Sequence, residues 1–115
     1  MFVHGWPLNH NMYEYIIEYF ASRGHRCIAI DLRGYGNSDK PYTGYDYDRM
    51  AMDIKLVIDA LKLSDITLVG HSMGGAICLR YMSKFNEDKV SRLCLLSAVA
   101  PTVGFNHPIG YMDIL

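Results

Sequence analysis

Residues Gly70-His71-Ser72-Met73-Gly74 constrain this chain more than any other stretch. They follow an apolar run, Ile66-Thr67-Leu68-Val69, and precede a helical pattern, Ala76-Ile77-Cys78-Leu79-Arg80-Tyr81-Met82. A G-x-S-x-G sequence between a strand and a helix predicts a nucleophile elbow, a sharp turn that pushes a serine hydroxyl into the open. The spacing has a steric reason. The serine takes a strained backbone conformation, so Gly70 and Gly74, two residues to either side, must lack bulk. The helix beyond the serine aims unpaired N–H groups and its positive dipole end at the hydroxyl. Ser72 is therefore the candidate nucleophile. It needs a histidine base and an acid, which follow such an elbow in the order Ser, Asp/Glu, His. Beyond Ser72 stand only Glu87, Asp88, His107 and Asp113, and Asp113 comes after the histidine rather than before it. No good pair is visible.

The chain has 115 residues, enough for one domain. It is 50% hydrophobic and 20% charged, the balance of a soluble globular protein. A net charge of −1 argues against a nucleic-acid footprint. No apolar run is long enough to span a membrane, and the first five residues do not read as a signal peptide. Cys27, Cys78 and Cys94 each lie in an apolar run without metal-ligand spacing. They read as free, buried thiols of a reducing compartment, which predicts a cytoplasmic location with no metal and no organic cofactor.

Strand and helix patterns alternate. Met1-Phe2-Val3 reads as the end of a strand. Met12 to Ser22 carries an apolar stripe at Met12, Tyr15, Ile16, Tyr19 and Phe20, closed by Gly24. Cys27 to Ile30 is a short apolar strand, and 31–45 a loop rich in Gly, Asp, Ser and Pro. A second helix is predicted over 47–61, a strand over 66–69, a third helix from Met73 to about Lys84, and a strand over 90–97. Alternation of this kind predicts an α/β fold, a mostly parallel sheet of about four strands with three main helices on both faces. Ligands bind such sheets beyond the carboxyl ends of the strands, where His4-Gly5, the Asp31 loop and Ser72 all fall.

His4-Gly5-Trp6-Pro7 follows the first strand directly. Acyl transfer needs two backbone N–H donors for the developing oxyanion. Met73 supplies one and Trp6 is assigned the other, with Trp6, Met73, His4 and Gly5 expected to bind substrate. The loop from Asp31 to Pro41 contains Gly34-Tyr35-Gly36, but Asp39 stands where a dinucleotide fingerprint needs its third glycine. It reads as a structural loop pinned by Arg33 and its aspartates. Among the histidines, His71 projects away from the elbow, His4 suits a structural hydrogen bond better than a base, and His10 and His25 read as solvated. His107 is a makeshift base at best.

Taken together, His4-Gly5-Trp6-Pro7, Asp31-Leu32-Arg33-Gly34-Tyr35-Gly36-Asn37-Ser38 and Gly70-His71-Ser72-Met73-Gly74-Gly75 resemble the α/β-hydrolase superfamily, as does the strand ending Leu95-Leu96-Ser97-Ala98. The nearest likeness is to small bacterial esterases, cofactor-free haloperoxidase-like perhydrolases and enol-lactonases. The resemblance implies a serine hydrolase acting on esters or related acyl compounds through an acyl-enzyme on Ser72, with the Trp6 and Met73 amides as oxyanion hole. The alternatives it leaves are perhydrolase or haloperoxidase-like activity, and a non-catalytic fragment. It implies that the strands lie in the order second, first, third, fourth. It also implies that 1–115 is one partial domain, the N-terminal portion of a longer hydrolase, with 106–115 starting a cap. An open edge at Leu93-Cys94-Leu95-Leu96 would then favour self-association, and the isolated chain would turn over little substrate. The expected partner is a small acyl substrate, with no nucleic acid and no membrane.

Overall fold

Two-residue strands can persist only when longer neighbours hold them, and that governs the sheet. A computed structural model describes residues 1–98. Strand β1 (Phe2–Val3) lies between β2 (Ala29–Ile30) and β3 (Ile66–His71), and β4 (Val90–Leu96) pairs with the far side of β3. The order is β2-β1-β3-β4 and every pairing is parallel, as the motifs imply. The predicted strand over 27–30 shortens to Ala29–Ile30, because its only partner among the described residues is the two-residue β1.

Side chains alternate across a strand, so register sorts them by face. Phe2 aligns with Val69 and Val69 with Cys94, one row on one face; Val3, Gly70 and Leu95 form the next row, on the other. The second face carries the core. Helix α2 (Tyr47–Ala60) and helix α3 (Met73–Lys84) pack there, with Met50, Ile54, Ile58, Ile77 and Tyr81 closing on Val3, Leu32 and Leu68. The Asp46 side chain caps α2, accepting the Arg49 N–H at 2.8 Å. Arg80 and Lys84 of α3 both pair with Asp48 at the start of α2.

The first face is open. The helix predicted over 12–22 divides into a 3₁₀ turn (His10–Tyr13) and α1 (Glu14–Ala21). Tyr13 is buried and its hydroxyl donates to the Val3 carbonyl at 2.8 Å, fastening the turn to β1. The stripe behind it is not buried: Tyr15, Ile16, Tyr19 and Phe20 are all exposed. Ile16 and Phe20 instead form one wall of a groove of about 860 Å³ whose floor includes Phe2, Val69, Cys94 and Leu96. This corrects the reading of three buried thiols. Cys78 is buried in α3 and Cys27 half-buried, but Cys94 lies exposed on the open face. The predicted cap segment 106–115 and His107 fall outside the described residues. Among the described residues no helix is long and apolar enough to cross a membrane.

Candidate active site

Strand β3 ends at His71 and α3 begins at Met73, which leaves Ser72 to make the whole turn. Its backbone sits at φ 52°, ψ −120°. A β-carbon is strained at positive φ, at a cost of order 1–3 kcal/mol, and such strain persists only where neighbours enforce it. They do so from both sides. The Ser72 N–H donates to the Leu96 carbonyl at 3.1 Å, and the Ser72 carbonyl accepts the Gly75 N–H at 2.9 Å and the Ala76 N–H at 3.3 Å. The hydroxyl makes no capping bond to the helix it precedes, and the residue is half-buried.

Close backbone approach explains the glycines around it. A Cβ on Gly70 would lie 2.7 Å from the Gly75 Cα. On Gly74 it would run into the His4 carbonyl oxygen and sit 2.5 Å from that of Val3. On Gly5 it would lie 2.8 Å from His71 Nδ1 and 3.0 Å from the Ser72 Cβ. The missing side chains let the end of β1 lie directly against the start of α3, and so bring the loop after β1 onto Ser72.

That loop carries Trp6, whose side chain is 57% exposed. Leu8 N–H closes the turn onto the Gly5 carbonyl at 2.9 Å, around a cis Trp6–Pro7 peptide. Among the described residues, neither the Trp6 N–H nor the Met73 N–H forms a hydrogen bond. Met73, at the first position of α3, has no carbonyl one turn back to receive its proton. Its side chain is buried in the core, so only its amide can face a substrate.

His4, expected among the substrate-binding residues, is turned fully inward, with no exposed surface. Its Nε2 accepts the Leu32 N–H at 3.0 Å, and its Nδ1 lies 2.9 Å from the Gly5 carbonyl. Tyr35 meets the ring edge-on with centroids 5.1 Å apart. Burial pushes the His4 pKa down, outweighing the hydrogen bond to Gly5 and the nearby Asp31 charge, which raise it.

The reading of His10 as solvated needs correction. Its backbone N–H and its Nδ1–H both reach Asp31 Oδ1 at 2.8 Å. The Asn37 N–H takes the second carboxylate oxygen at 2.9 Å, and the Ser38 hydroxyl donates to the Asp31 carbonyl at 2.5 Å. Burial alone would raise the Asp31 pKa; the bonds from Asn37 and His10 overcome it and hold the carboxyl at about 2. The clasp ties the loop after β1 to the loop after β2. Sequence offers no signal for it, since the partners are 21 residues apart. The loop after β2 is also pinned as expected: Arg33 forks onto Asp53 at 2.5 and 2.9 Å.

Among the described residues no side chain hydrogen-bonds to the Ser72 hydroxyl, and no three metal-ligating side chains gather. His71 Nδ1 is buried with no partner among them. His25 packs edge-on against Phe20, away from the site.

Comparison with known proteins agrees with the fold. A family model described as "alpha/beta hydrolase fold" matches residues 1–113. The chain is 55% identical to the AB hydrolase superfamily protein YisY of Bacillus subtilis, over 96% of this chain and 41% of that protein. It is 40% identical to a non-heme chloroperoxidase of Streptomyces lividans, over 90% of this chain and 37% of that one. An esterase structure from Exiguobacterium antarcticum superposes with a TM-score of 0.85 at 52% identity, covering 87% of this chain and 37% of the esterase. The chain thus spans about 40% of the length of the relatives it matches.

Proposed function

The chain belongs to the alpha/beta hydrolase fold family, and from that membership we propose that it carries the nucleophile and oxyanion hole of a serine hydrolase acting on esters or related acyl compounds. The observation that carries the reading is the strained backbone of Ser72, held between β3 and α3 with Gly5 packed against it. A turn of that shape has no structural advantage for serine. It costs stability and leaves a hydroxyl uncommitted.

In the proposed reaction the Ser72 oxygen attacks the acyl carbonyl carbon and its proton passes to a general base. The carbonyl electron pair moves onto oxygen, where the Trp6 and Met73 amides stabilise the oxyanion. Collapse expels the alcohol, which takes up the proton, and leaves an acyl-enzyme. Water then releases the acid; hydrogen peroxide in its place would release a peracid. A relative named as a bifunctional esterase/perhydrolase, from Acinetobacter calcoaceticus, supports pairing these two outcomes in one protein. The described residues contribute no base to Ser72, so residues 1–98 by themselves are proposed to hydrolyse little.

A fluorophosphonate probe tests the reading, since it labels only an activated serine. In the whole protein that carries this sequence, labelling is expected at Ser72 and should vanish in Ser72→Ala. Unchanged labelling of Ser72→Ala would remove Ser72 from the reaction. No labelling of either protein would favour a non-catalytic role.

A further inference from the structure

We infer that His4, in its Nδ1–H tautomer, is the positioning residue that aims the Trp6 amide over Ser72. The inference rests on the reading of Ser72 as nucleophile, but its geometry stands apart from that reading. The Leu32 N–H can only donate, so the Nε2 it reaches at 3.0 Å must offer a lone pair. A neutral imidazole with a bare Nε2 carries its proton on Nδ1. The Gly5 carbonyl can only accept, and it stands 2.9 Å from that nitrogen. The two partners therefore select one tautomer between them. A second proton on the ring would bring Nε2–H against the Leu32 N–H inside a site with no exposed surface.

The accepting oxygen belongs to the Gly5–Trp6 peptide, which is trans, so its C=O and N–H point in opposite directions. His4 grips the carbonyl from the interior, and Leu8 N–H grips it at 2.9 Å from the end of the turn. The Trp6 N–H is thereby turned away from the buried ring. Ser72 lies beside this peptide, its Cβ 3.0 Å from the β-position of Gly5. The amide needs such a hold because no other described group receives its proton. Without one, the peptide could rotate and point its carbonyl, rather than its N–H, at a developing oxyanion. The ring is itself braced: Tyr35 packs on its edge, and the loop that supplies Leu32 is clasped by His10 and Asp31.

Two substitutions separate positioning from stapling. His4→Asn keeps a donor where Nδ1 stands and loses the acceptor for Leu32. His4→Gln keeps an acceptor where Nε2 stands and loses the donor for Gly5. If His4 positions the amide, His4→Gln slows both fluorophosphonate labelling and p-nitrophenyl acetate turnover by about 100-fold, the scale of losing one oxyanion donor. KM for the ester should stay close to that of the unchanged protein, and His4→Asn should recover most of the rate. The reverse order, with His4→Gln active and His4→Asn impaired, would show that His4 only fastens the loop to Leu32 and would overturn the inference. Nitrogen-15 NMR of the unchanged protein decides independently of activity and of how the variants fold. It should find His4 protonated on Nδ1 and not on Nε2 from pH 5 to 8. An Nε2–H tautomer, or a ring that charges in that range, overturns the positioning. If Ser72 takes no label, the proposed reaction fails, while the NMR result still decides what His4 does.

Discussion

Gly74→Ala is the substitution in which local and tertiary effects oppose most clearly. In an exposed helix, alanine in place of glycine gains roughly 1 kcal/mol. Gly74 is the second residue of α3, so helix propensity alone predicts a more stable protein. The structure predicts the opposite. The new Cβ would lie 2.5 Å from the Val3 carbonyl oxygen, about 0.9 Å inside the 3.4 Å where ordinary contact begins, and closer still to the His4 carbonyl oxygen. The obstacles are the backbone of the last residue of β1 and of the residue after it, and β1 is bonded to β2 on one side and β3 on the other. Retreat would break ladder hydrogen bonds. Moving α3 instead would open space around Ala76 and Ile77, both fully buried. Overpacking costs typically about 1–3 kcal/mol, and a rigid neighbour puts this site at the upper end. After the propensity gain, a net loss of about 2 kcal/mol is expected. Urea denaturation of the whole protein would read it as a lower midpoint with an unchanged slope. Ser83→Ala, on the exposed face of the same helix, serves as control and should stay within about 0.5 kcal/mol. A midpoint for Gly74→Ala at or above that of the unchanged protein would refute the close approach of β1 to α3.

Two further outcomes follow from the ionisable groups. The Asp31 carboxyl is held at about 2, below its ordinary 3.8, so its contribution to stability is complete above pH 4 and fades as pH falls toward 2. Asp31→Asn should lose about 1–2 kcal/mol at neutral pH and flatten the acid limb of the stability profile; an unchanged acid limb would count against the clasp with His10, Asn37 and Ser38. Burial pushes the Cys78 thiol up to about 12, whereas Cys94 stands exposed. In residues 1–115 at pH 8, iodoacetamide should modify Cys94 and spare Cys78 until denaturant is added, and equal protection of the two would mean that the first face of the sheet is covered.

Most of the fold was legible because its signals are local. The elbow motif, the apolar runs and the stripe of α2 each specify an element within a dozen residues. Strand order came from the family likeness and not from spacing. What escaped the sequence depends on distant partners. The stripe of α1 predicts a helix, and a helix forms, but nothing in residues 14–21 says whether a neighbour covers it. Cys94 looks buried in an apolar strand because hydropathy does not distinguish a covered face from a bare one. Asp31 and His10 meet only once β1 and β2 lie side by side. At the site, the strained turn at Ser72 was legible because the motif fixes backbone geometry, while the inward turn of His4 depended on where Leu32 arrives.

The oxyanion side of the chemistry proposed for this site is borne by main chain, in the peptide after Gly5 and the first amide of α3, beside a serine held at a positive φ. Main-chain groups are the same whatever residue bears them. The substituents that would meet a substrate first, such as the exposed indole of Trp6, can therefore be exchanged without dismantling the reaction centre. On that proposal such a scaffold would change its diet readily while the donors stay put, and the glycines at the seam between β1 and α3 are the part it could not trade.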